Sequence, residues 1–366
     1  MFGGGARGFG AALSMLLLAA APCLADWQDG AGADWQRLLA AARNEGKVVV
    51  GGGPDLAKTF SDGFRRDTGI SVEFLAAPYR ELSARLNREA RAGQVTMDVV
   101  FGGYSDVALV RSGHMNPIKP QLLLPGVTDP NNWAGGHIKW IDKDQAYMLQ
   151  GSEYVDAIPL LNTDLVKPGE ITTWRDMAKP QYKGKIAAFD PRGPGPGAPV
   201  AGYLMELFGV AYLKDFYIGQ NITLTRDARQ LVEWAVRGIY PIALGTTVVD
   251  VEQFLKSGVK NIRPLAMGDG AGIVLGAISV VSEPKGGPHP NAAAVFVNWY
   301  ASKPGQEAYV AGKRTPSRRT DVAPPDIPAV YLPRTGVAYP DQYTEDYFFE
   351  TVPKFRKALI DAFGGE

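Results

Sequence analysis

The chain has 366 residues, a length that favours two lobes over a single hydrophobic core. Basic and acidic residues balance at 38 each, so no net charge draws the protein toward nucleic acid or an anionic membrane. No cluster of lysine and arginine is interleaved with aromatic residues, and we therefore expect no nucleic-acid partner.

The first residues have the pattern of an export signal. Arg7 supplies a positive charge, residues 11–21 are apolar, and Cys23 and Ala25 occupy the small-residue positions of a cleavage site. The apolar run is too short to span a bilayer. The pattern predicts a signal peptide over residues 1–25 and a periplasmic mature protein.

Cys23 is the only cysteine, and cleavage before Asp26 removes it. The predicted mature protein then has no disulfide, no catalytic thiolate and no cysteine-ligated metal. A lipid anchor on Cys23 is the alternative. Pro22 disfavours it, because a lipoprotein signal prefers a small residue such as glycine or alanine before the cysteine.

Strands and helices alternate along the first part of the chain, as in a doubly wound α/β lobe. Ser105 is a plausible N-cap. The predicted elements are helix 35–46, strand 47–53, helix 54–69, strand 70–76, helix 80–93, strand 97–103 and helix 105–113.

The alternation returns in the second part of the chain. A proline-rich stretch from Val322 to Pro340 then leads to a predicted terminal helix near residues 352–363. The other elements are strand 183–190, helix 200–209, helix 227–238, strand 239–245, helix 248–258, strand 261–267, strand 276–282 and helix 291–302.

Several fragments resemble one known family in the same order. They include "RAGQVTMDVVFGG" from residue 91, "LLNTDLVKPGEITTWRDMAKPQYKGKIAAFDP" from residue 160, and "PHPNAAAVFVNWYASKPGQEAYV" from residue 288. The chain resembles extracellular solute-binding proteins of ABC transporters, in the subgroup related to ferric-ion, thiamine and phosphonate binders. The resemblance implies a type II periplasmic binding protein fold, with two α/β lobes joined by crossing strands and the ligand between them.

The resemblance also implies a domain layout and partners. The first lobe is expected at residues 26–150 and 268–320, the second at 151–267, and a helical tail at 321–366. The expected partners are a small-molecule solute and an inner-membrane ABC permease, with its ATPase contacted indirectly. We expect a monomer.

An enzyme on the same scaffold is the alternative from another class. No GxSxG, HExxH or phosphate-binding GxxxxGK[ST] motif occurs. His114, His137 and His289 are far apart and lack the spacing of metal ligands. We therefore predict no catalytic residue, no cofactor and no metal site.

Open α/β sheets bind ligands at the carboxyl ends of their strands, and five loops of this chain follow predicted strands. Glycine beside a helix start leaves backbone N–H groups open, which favours an anion. The candidate ligand-binding residues in these loops and at the first crossing are Gly52, Gly53, Tyr79, Arg80, Gly103, Tyr104, Ser105, Tyr147, Arg192, Gly195, Gly197, Thr246 and Thr247.

The loop "DPRGPGPG" (190–197) carries the leading candidate, Arg192, whose guanidinium can bind a carboxylate or phosphate with two hydrogen bonds. Arg80 is its counterpart in the first lobe. The competing interpretation is a structural loop with a solvated arginine. Asp55 and Asp190 are expected to cap helices or fix loops rather than to bind a ligand.

The predicted solute is a small organic anion. A ferric ion and a small cation such as thiamine or a polyamine remain alternatives. Ferric-ion members of the family use adjacent tyrosines in the second lobe. This chain has no Tyr-Tyr pair, and its comparable stretch reads "GTTVVDVEQFLKSG" (245–258).

Overall fold

A computed structural model describes residue 1 and residues 26–193, 195–276 and 278–363. The predicted signal peptide and its cleavage site lie outside the described residues. In chain order the helices are α1 (Ala33–Glu45), α2 (Ala57–Thr68), α3 (Tyr79–Ala92), α4 (Val107–Arg111), α5 (Pro125–Thr128), α6 (Gly197–Lys214), α7 (Ala228–Val236), α8 (Val248–Lys256), α9 (Pro290–Ala301), α10 (Lys303–Lys313) and α11 (Val352–Phe363).

The strands form two larger sheets and one two-stranded connection. In chain order they are β1 (Lys47–Gly52), β2 (Ser71–Ala76), β3 (Val99–Gly102), β4 (Met115–Asn116), β5 (Lys139–Trp140), β6 (Leu149–Gln150), β7 (Tyr154–Asp156), β8 (Leu160–Asn162), β9 (Ile186–Phe189), β10 (Thr223–Thr225), β11 (Ile242–Leu244), β12 (Ile262–Pro264), β13 (Ile273–Leu275) and β14 (Val280–Pro284).

The first lobe is built on a sheet of order β2-β1-β3-β14-β6-β5, with β4 beside β14. β1 runs parallel to β2 and β3, and β14 joins β3 antiparallel. The apolar run of β1 is buried after Lys47, as expected for a strand covered on both faces. α9 returns to this lobe late in the chain, and its residues 292–301 are all buried.

The second lobe is built on a sheet of order β10-β9-β11-β8-β12. β9 is parallel to β10 and β11, whereas β8 is antiparallel to β11 and β12. Trp174, Tyr203, Leu204 and Phe216 are buried in its core. α6 is longer than predicted, and Gly209 interrupts it with φ 84°, at the residue where the predicted helix ends.

Two antiparallel strands cross between the lobes. The chain leaves the first sheet after β6 and passes through β7, and it returns through β13 before β14, with Val155 opposite Val274. The two-lobe α/β fold with crossing strands is therefore confirmed. The strand predicted at 276–282 corresponds to β14, which begins later, at Val280, and the crossing strand β13 before it was not predicted.

The C-terminal segment, residues 341–363, contacts both lobes. Tyr343 is buried in a cluster with Val107 and Val280 of the first lobe. A π-helical turn from Tyr347 to Thr351 leads into α11, at the position predicted for the terminal helix. Phe355 and Leu359 are buried in the core of the second lobe.

Candidate functional site

An interlobe cavity of about 370 Å³ lies where both lobes meet the C-terminal segment. This volume falls in the range of small-molecule sites, roughly 300–1,000 Å³. The cavity is lined by Tyr79, Arg80, Tyr104, Ser105, Pro191, Arg192, Gly193, Gly195, Ala198, Pro199, Leu275, Gln342, Tyr343, Tyr347, Phe348, Val352, Phe355 and Arg356. The structure thus brings together Tyr79, Arg80, Tyr104, Ser105, Arg192 and Gly195 from the sequence-predicted set.

The first-lobe wall is held by a chain of hydroxyl contacts. Tyr79, the first residue of α3, is hydrogen-bonded to Ser105 through its hydroxyl. The predicted N-cap role of Ser105 is wrong. Ser105 lies inside a short 3-10 helix (Tyr104–Asp106) whose N-cap is Gly103, and the N-cap of the following helix α4 is Asp106. Neither helix start is capped by a side chain. The Ser105 side chain is engaged with Tyr79 across the wall instead.

Asp106 lies behind this wall and is 2% exposed. Ser83 donates to its Oδ1 at 2.8 Å, while Oδ2 has no hydrogen bond of ordinary geometry among the described residues. Burial raises the pKa of Asp106 to about 6, and the hydroxyls of Ser83 and Tyr79 oppose the rise in part. Burial also raises the pKa of Tyr79, so its phenol stays protonated.

The second-lobe wall is the loop after β9, and Arg192 is bound within it. The Arg192 Nε and Nη2 atoms donate to the two Asp190 oxygens at 2.9 Å each, and its backbone N–H donates at 3.1 Å. Arg226 Nε adds a fourth contact at 3.2 Å. The Arg192 side chain holds the pKa of Asp190 below its usual range. Asp190 therefore fixes the loop, as expected, and Arg192 is not a solvated arginine.

The glycines of this loop fit against Phe189. A Cβ at Gly195 would lie 2.3 Å from the Phe189 ring, and a Cβ at Gly197 would lie 2.1 Å from the Phe189 carbonyl oxygen. Gly195 still lines the cavity, whereas Gly197 begins α6 behind it. Close packing on Phe189, rather than open backbone donors, is what requires glycine here.

The other predicted residues lie away from the cavity lining. Gly52 packs against the Phe74 ring, Gly53 lies beside Asp55, and Tyr147 packs within the first lobe. Gly103 sits behind Tyr79 and Tyr343 without lining the cavity itself.

The two threonines after β11 lie outside the cavity lining, one buried and the other capping a helix. Thr246 is buried, and its hydroxyl has no hydrogen bond of ordinary geometry among the described residues. Thr247 caps α8 by accepting from the Asp250 N–H at 3.1 Å. The five strand-end loops therefore do not converge as one set.

The sequence did not predict that the C-terminal segment lines the interlobe cavity. Tyr104 packs against Tyr343 and Phe348, with ring centroids 4.9 and 5.5 Å apart. The aromatic cluster "YTEDYFF" (343–349), placed just before an amphipathic helix, was the available signal. The sequence pattern predicted only a helical tail for this stretch.

A second, larger cavity of about 700 Å³ lies beside β5 and β13. Its charged lining residues neutralise one another. Lys139 pairs with Asp341 at 2.7 Å and with Glu153 at 3.5 Å, and Arg318 also pairs with Glu153. This network ties the C-terminal segment to the first lobe and leaves no excess of one charge.

The described ranges contain neither a metal-binding cluster nor a membrane-spanning helix. No group of three or more histidine, cysteine, aspartate or glutamate side chains is placed to hold a metal ion in this part of the chain. Over the same residues, no helix combines the length and apolar character needed to cross a bilayer.

A sequence model of bacterial extracellular solute-binding proteins matches residues 51–307, well over half of the chain. The chain belongs to the bacterial extracellular solute-binding protein family. No curated protein matches it by sequence.

Solved structures share the fold of this solute-binding protein. Iron-bound HitA from Pseudomonas aeruginosa is 16% identical with a TM-score of 0.63, and the match covers 87% of this chain and 99% of HitA. AfuA from Actinobacillus pleuropneumoniae, with fructose-6-phosphate bound, is 18% identical with a TM-score of 0.64, covering 87% and 98%. Trichodesmium FutA with iron and citrate is 16% identical with a TM-score of 0.67, covering 87% and 99%.

At these identities the structural likeness supports the type II periplasmic binding protein fold. The family and these neighbours are binding proteins rather than enzymes. Their bound species differ, so the likeness does not name a solute for this chain.

Proposed function

We propose that this protein is a periplasmic receptor of an ABC importer that binds a small organic anion in the interlobe cavity. One observation carries the proposal: every charged side chain lining that cavity is an arginine. Arg80 comes from the first lobe, Arg192 from the second and Arg356 from the C-terminal segment, and the described lining contains no aspartate or glutamate. Three cations around one cavity favour an anionic occupant.

The Asp190 carboxylate behind the second-lobe wall does not cancel the positive charge of the arginines that line the cavity. Asp190 is shared by Arg192 and Arg226, so this group of three keeps one net positive charge. On the opposite wall, the Tyr79 and Ser105 hydroxyls offer hydrogen-bonding groups. An anion between the walls would be contacted from both lobes, and AfuA, which has a similar fold, has an organic anion, fructose-6-phosphate, bound.

Contacts from both lobes explain how binding would drive closure. β7 and β13 form the connection between the lobes. A solute that touches both walls binds the closed arrangement better than the open one and shifts the population toward it. The closed receptor would then deliver its solute to the inner-membrane permease and, through it, to the ATPase.

The cationic alternatives have weaker support from the cavity. A thiamine-like or polyamine ligand needs carboxylates, and the described lining offers none. A ferric ion held by phenolates needs deprotonated tyrosines. Ferric-ion members of the family use adjacent tyrosines, and this sequence has no Tyr-Tyr pair.

A thermal-unfolding screen of the mature protein tests the proposal. The panel holds sugar phosphates, phosphonates, carboxylates, thiamine, putrescine and ferric citrate. An anion at 100 times its Kd is expected to add about 2.7 kcal/mol to the free energy of unfolding. Stabilisation by thiamine, putrescine or ferric citrate alone would contradict an anion receptor. Conversion of the bound anion on incubation would point to the enzyme alternative.

Arg80→Gln then locates the anion. Arg80 lines the cavity, and its loss is expected to weaken binding about tenfold, as for a charged hydrogen bond. Arg88→Gln is the matched control, because Arg88 lies on the same helix without lining the interlobe cavity. Equal losses of affinity in the two variants would argue against binding between the lobes.

A further inference from the structure

The C-terminal segment is fastened to both lobes as it passes over the interlobe cavity. On the first lobe, Arg111 pairs with Glu345 at 2.6 Å, and the Lys143 N–H donates to Glu345 at 2.8 Å. On the second lobe, Phe355 and Leu359 are 3% and 1% exposed within the core. The segment is therefore a fixed wall of the cavity rather than a loose end.

This wall gives the cavity most of its aromatic surface. Tyr343, Tyr347, Phe348 and Phe355 line it from the C-terminal segment, and Tyr79 and Tyr104 line it from the first lobe, with Tyr104 packed against Tyr343 and Phe348. Aromatic side chains prefer offset or edge-to-face contacts with another ring and gain energy beyond simple burial. A flat, apolar body fits such a lining better than a fully hydroxylated one.

The same wall also carries two polar groups that suit an anion. Arg356 has no hydrogen bond or ion pair among the described residues, yet it lies close enough to Tyr104 to lower that residue's pKa against the rise caused by burial. The Gln342 Nε2 is buried and lacks a hydrogen bond of ordinary geometry in the described part of the chain. Burial raises the pKa of the nearby Glu206 carboxyl, and the Gln342 amide lowers that pKa in part.

We propose that residues 342–356 form a third wall of the solute site and that the solute is a small organic anion bearing an aromatic ring. The ring packs among the tyrosine and phenylalanine side chains, and the anionic group is bound by Arg356 together with the arginines of the lobes. This inference rests on the proposed function and specifies its substrate class.

Calorimetry with two pairs of probes tests the substrate class. Benzoate is compared with acetate, and phenylphosphonate with methylphosphonate, because each pair keeps the anionic group and replaces a methyl group by a phenyl ring. The ring-bearing member is expected to bind about ten- to a hundredfold more tightly, as for burial of one aromatic group. Equal affinities within both pairs would overturn the ring preference, as would a screen that yields only ringless anions.

Variants on the C-terminal segment test the third wall. Arg356→Gln is expected to weaken the better ring-bearing probe about tenfold. Phe348→Leu, which keeps an apolar side chain and removes the ring, is expected to weaken it about fivefold through lost aromatic contact. Lys354→Gln is the matched control, since it removes the same charge from α11 at an exposed position outside the cavity.

The outcomes separate this inference from the proposed function. If Arg356→Gln and Phe348→Leu bind like Lys354→Gln while Arg80→Gln still weakens binding, the third wall is wrong and the interlobe anion site stands. If no anion of the probe set or the screen binds, both proposals fail. Thermal unfolding without ligand checks that each variant is folded.

Discussion

Two buried aspartates stand behind opposite walls of the interlobe cavity and have opposite pKa shifts. Asp106, behind the first-lobe wall, is 2% exposed, and Asp190, behind the second, is 4% exposed. Burial raises the pKa of Asp106 to about 6. The Arg192 and Arg226 side chains hold the pKa of Asp190 below its usual range despite its burial.

The difference shows that the partner, more than burial, decides the charge of each wall. Asp106 has hydroxyl partners and no paired cation among the described residues, so desolvation dominates and favours its neutral form. Asp190 accepts from two guanidinium groups and stays ionised. One wall thus holds a carboxyl that titrates in mildly acidic solution, and the other holds a permanent ion-pair network.

The largest expected effect is the pH dependence that Asp106 gives to stability. Its folded pKa lies above the unfolded value, so its contribution is fully present below about pH 4 and is lost as the pH rises through about 6. A rise of this size corresponds to about 3 kcal/mol. In urea unfolding, Asp106→Asn should therefore gain about 2–3 kcal/mol relative to wild type between pH 4 and pH 7.

The experiment compares the free energy of unfolding of the wild type with that of Asp106→Asn at each pH. Asp156 is also buried with its pKa raised to about 6, but it titrates in both proteins and cancels. The exposed Asp164→Asn makes the same chemical change on the surface and serves as the control. A wild-type-minus-variant difference that stays constant from pH 4 to pH 7 would contradict the assignment.

A smaller effect is expected from breaking the other network. Arg192→Gln leaves the buried Asp190 with Arg226 alone, and we expect a loss of about 1–2 kcal/mol at pH 7. Because the pKa of Asp190 is lowered, this loss should be full above about pH 4 and should shrink in more acidic solution. Urea unfolding at pH 7 and pH 3 measures both parts.

The matched variant for this comparison is Arg356→Gln. Arg356 is exposed and has no ion pair among the described residues, so its removal should change stability by less than about 0.5 kcal/mol. Equal stability of the Arg192 and Arg356 variants would mean that the Asp190 network does not contribute to folding.

Local sequence patterns predicted most of the fold. The apolar run of β1 and the left-handed Gly46 that ends α1, with φ 76°, depend on neighbouring residues alone. The crossing strand β13 was not predicted, and the reason is long-range. Leu275 pairs with Tyr154 in the crossing while Val280 pairs with Gly102 in the first sheet, and no local pattern encodes that change of sheet.

In the candidate site, too, local patterns predicted some residues, and contacts between distant parts of the chain were not predicted. Arg80 and Arg192 follow strands, and a general rule about strand ends was enough to place them beside one cavity. The salt bridge of Arg192 with Asp190 spans two residues and was visible in the sequence, although only the loop-fixing role of Asp190 was anticipated. Tyr343 and Phe348 meet Tyr104 across more than 230 residues, a contact that no motif announces.

Among the contacts of Asp190, the smallest expected effect belongs to its outer partner, Arg226. Its side chain is 59% exposed, so solvent screens the 3.2 Å contact, and Arg226→Gln should cost about 0.5 kcal/mol at pH 7. Combining it with Arg192→Gln should cost more than the two single losses added together, because only the double variant leaves Asp190 without either arginine. A double-mutant cycle by urea unfolding measures this coupling. Simple additivity would mean that the two arginines stabilise the second-lobe wall independently, without energetic coupling through the shared Asp190.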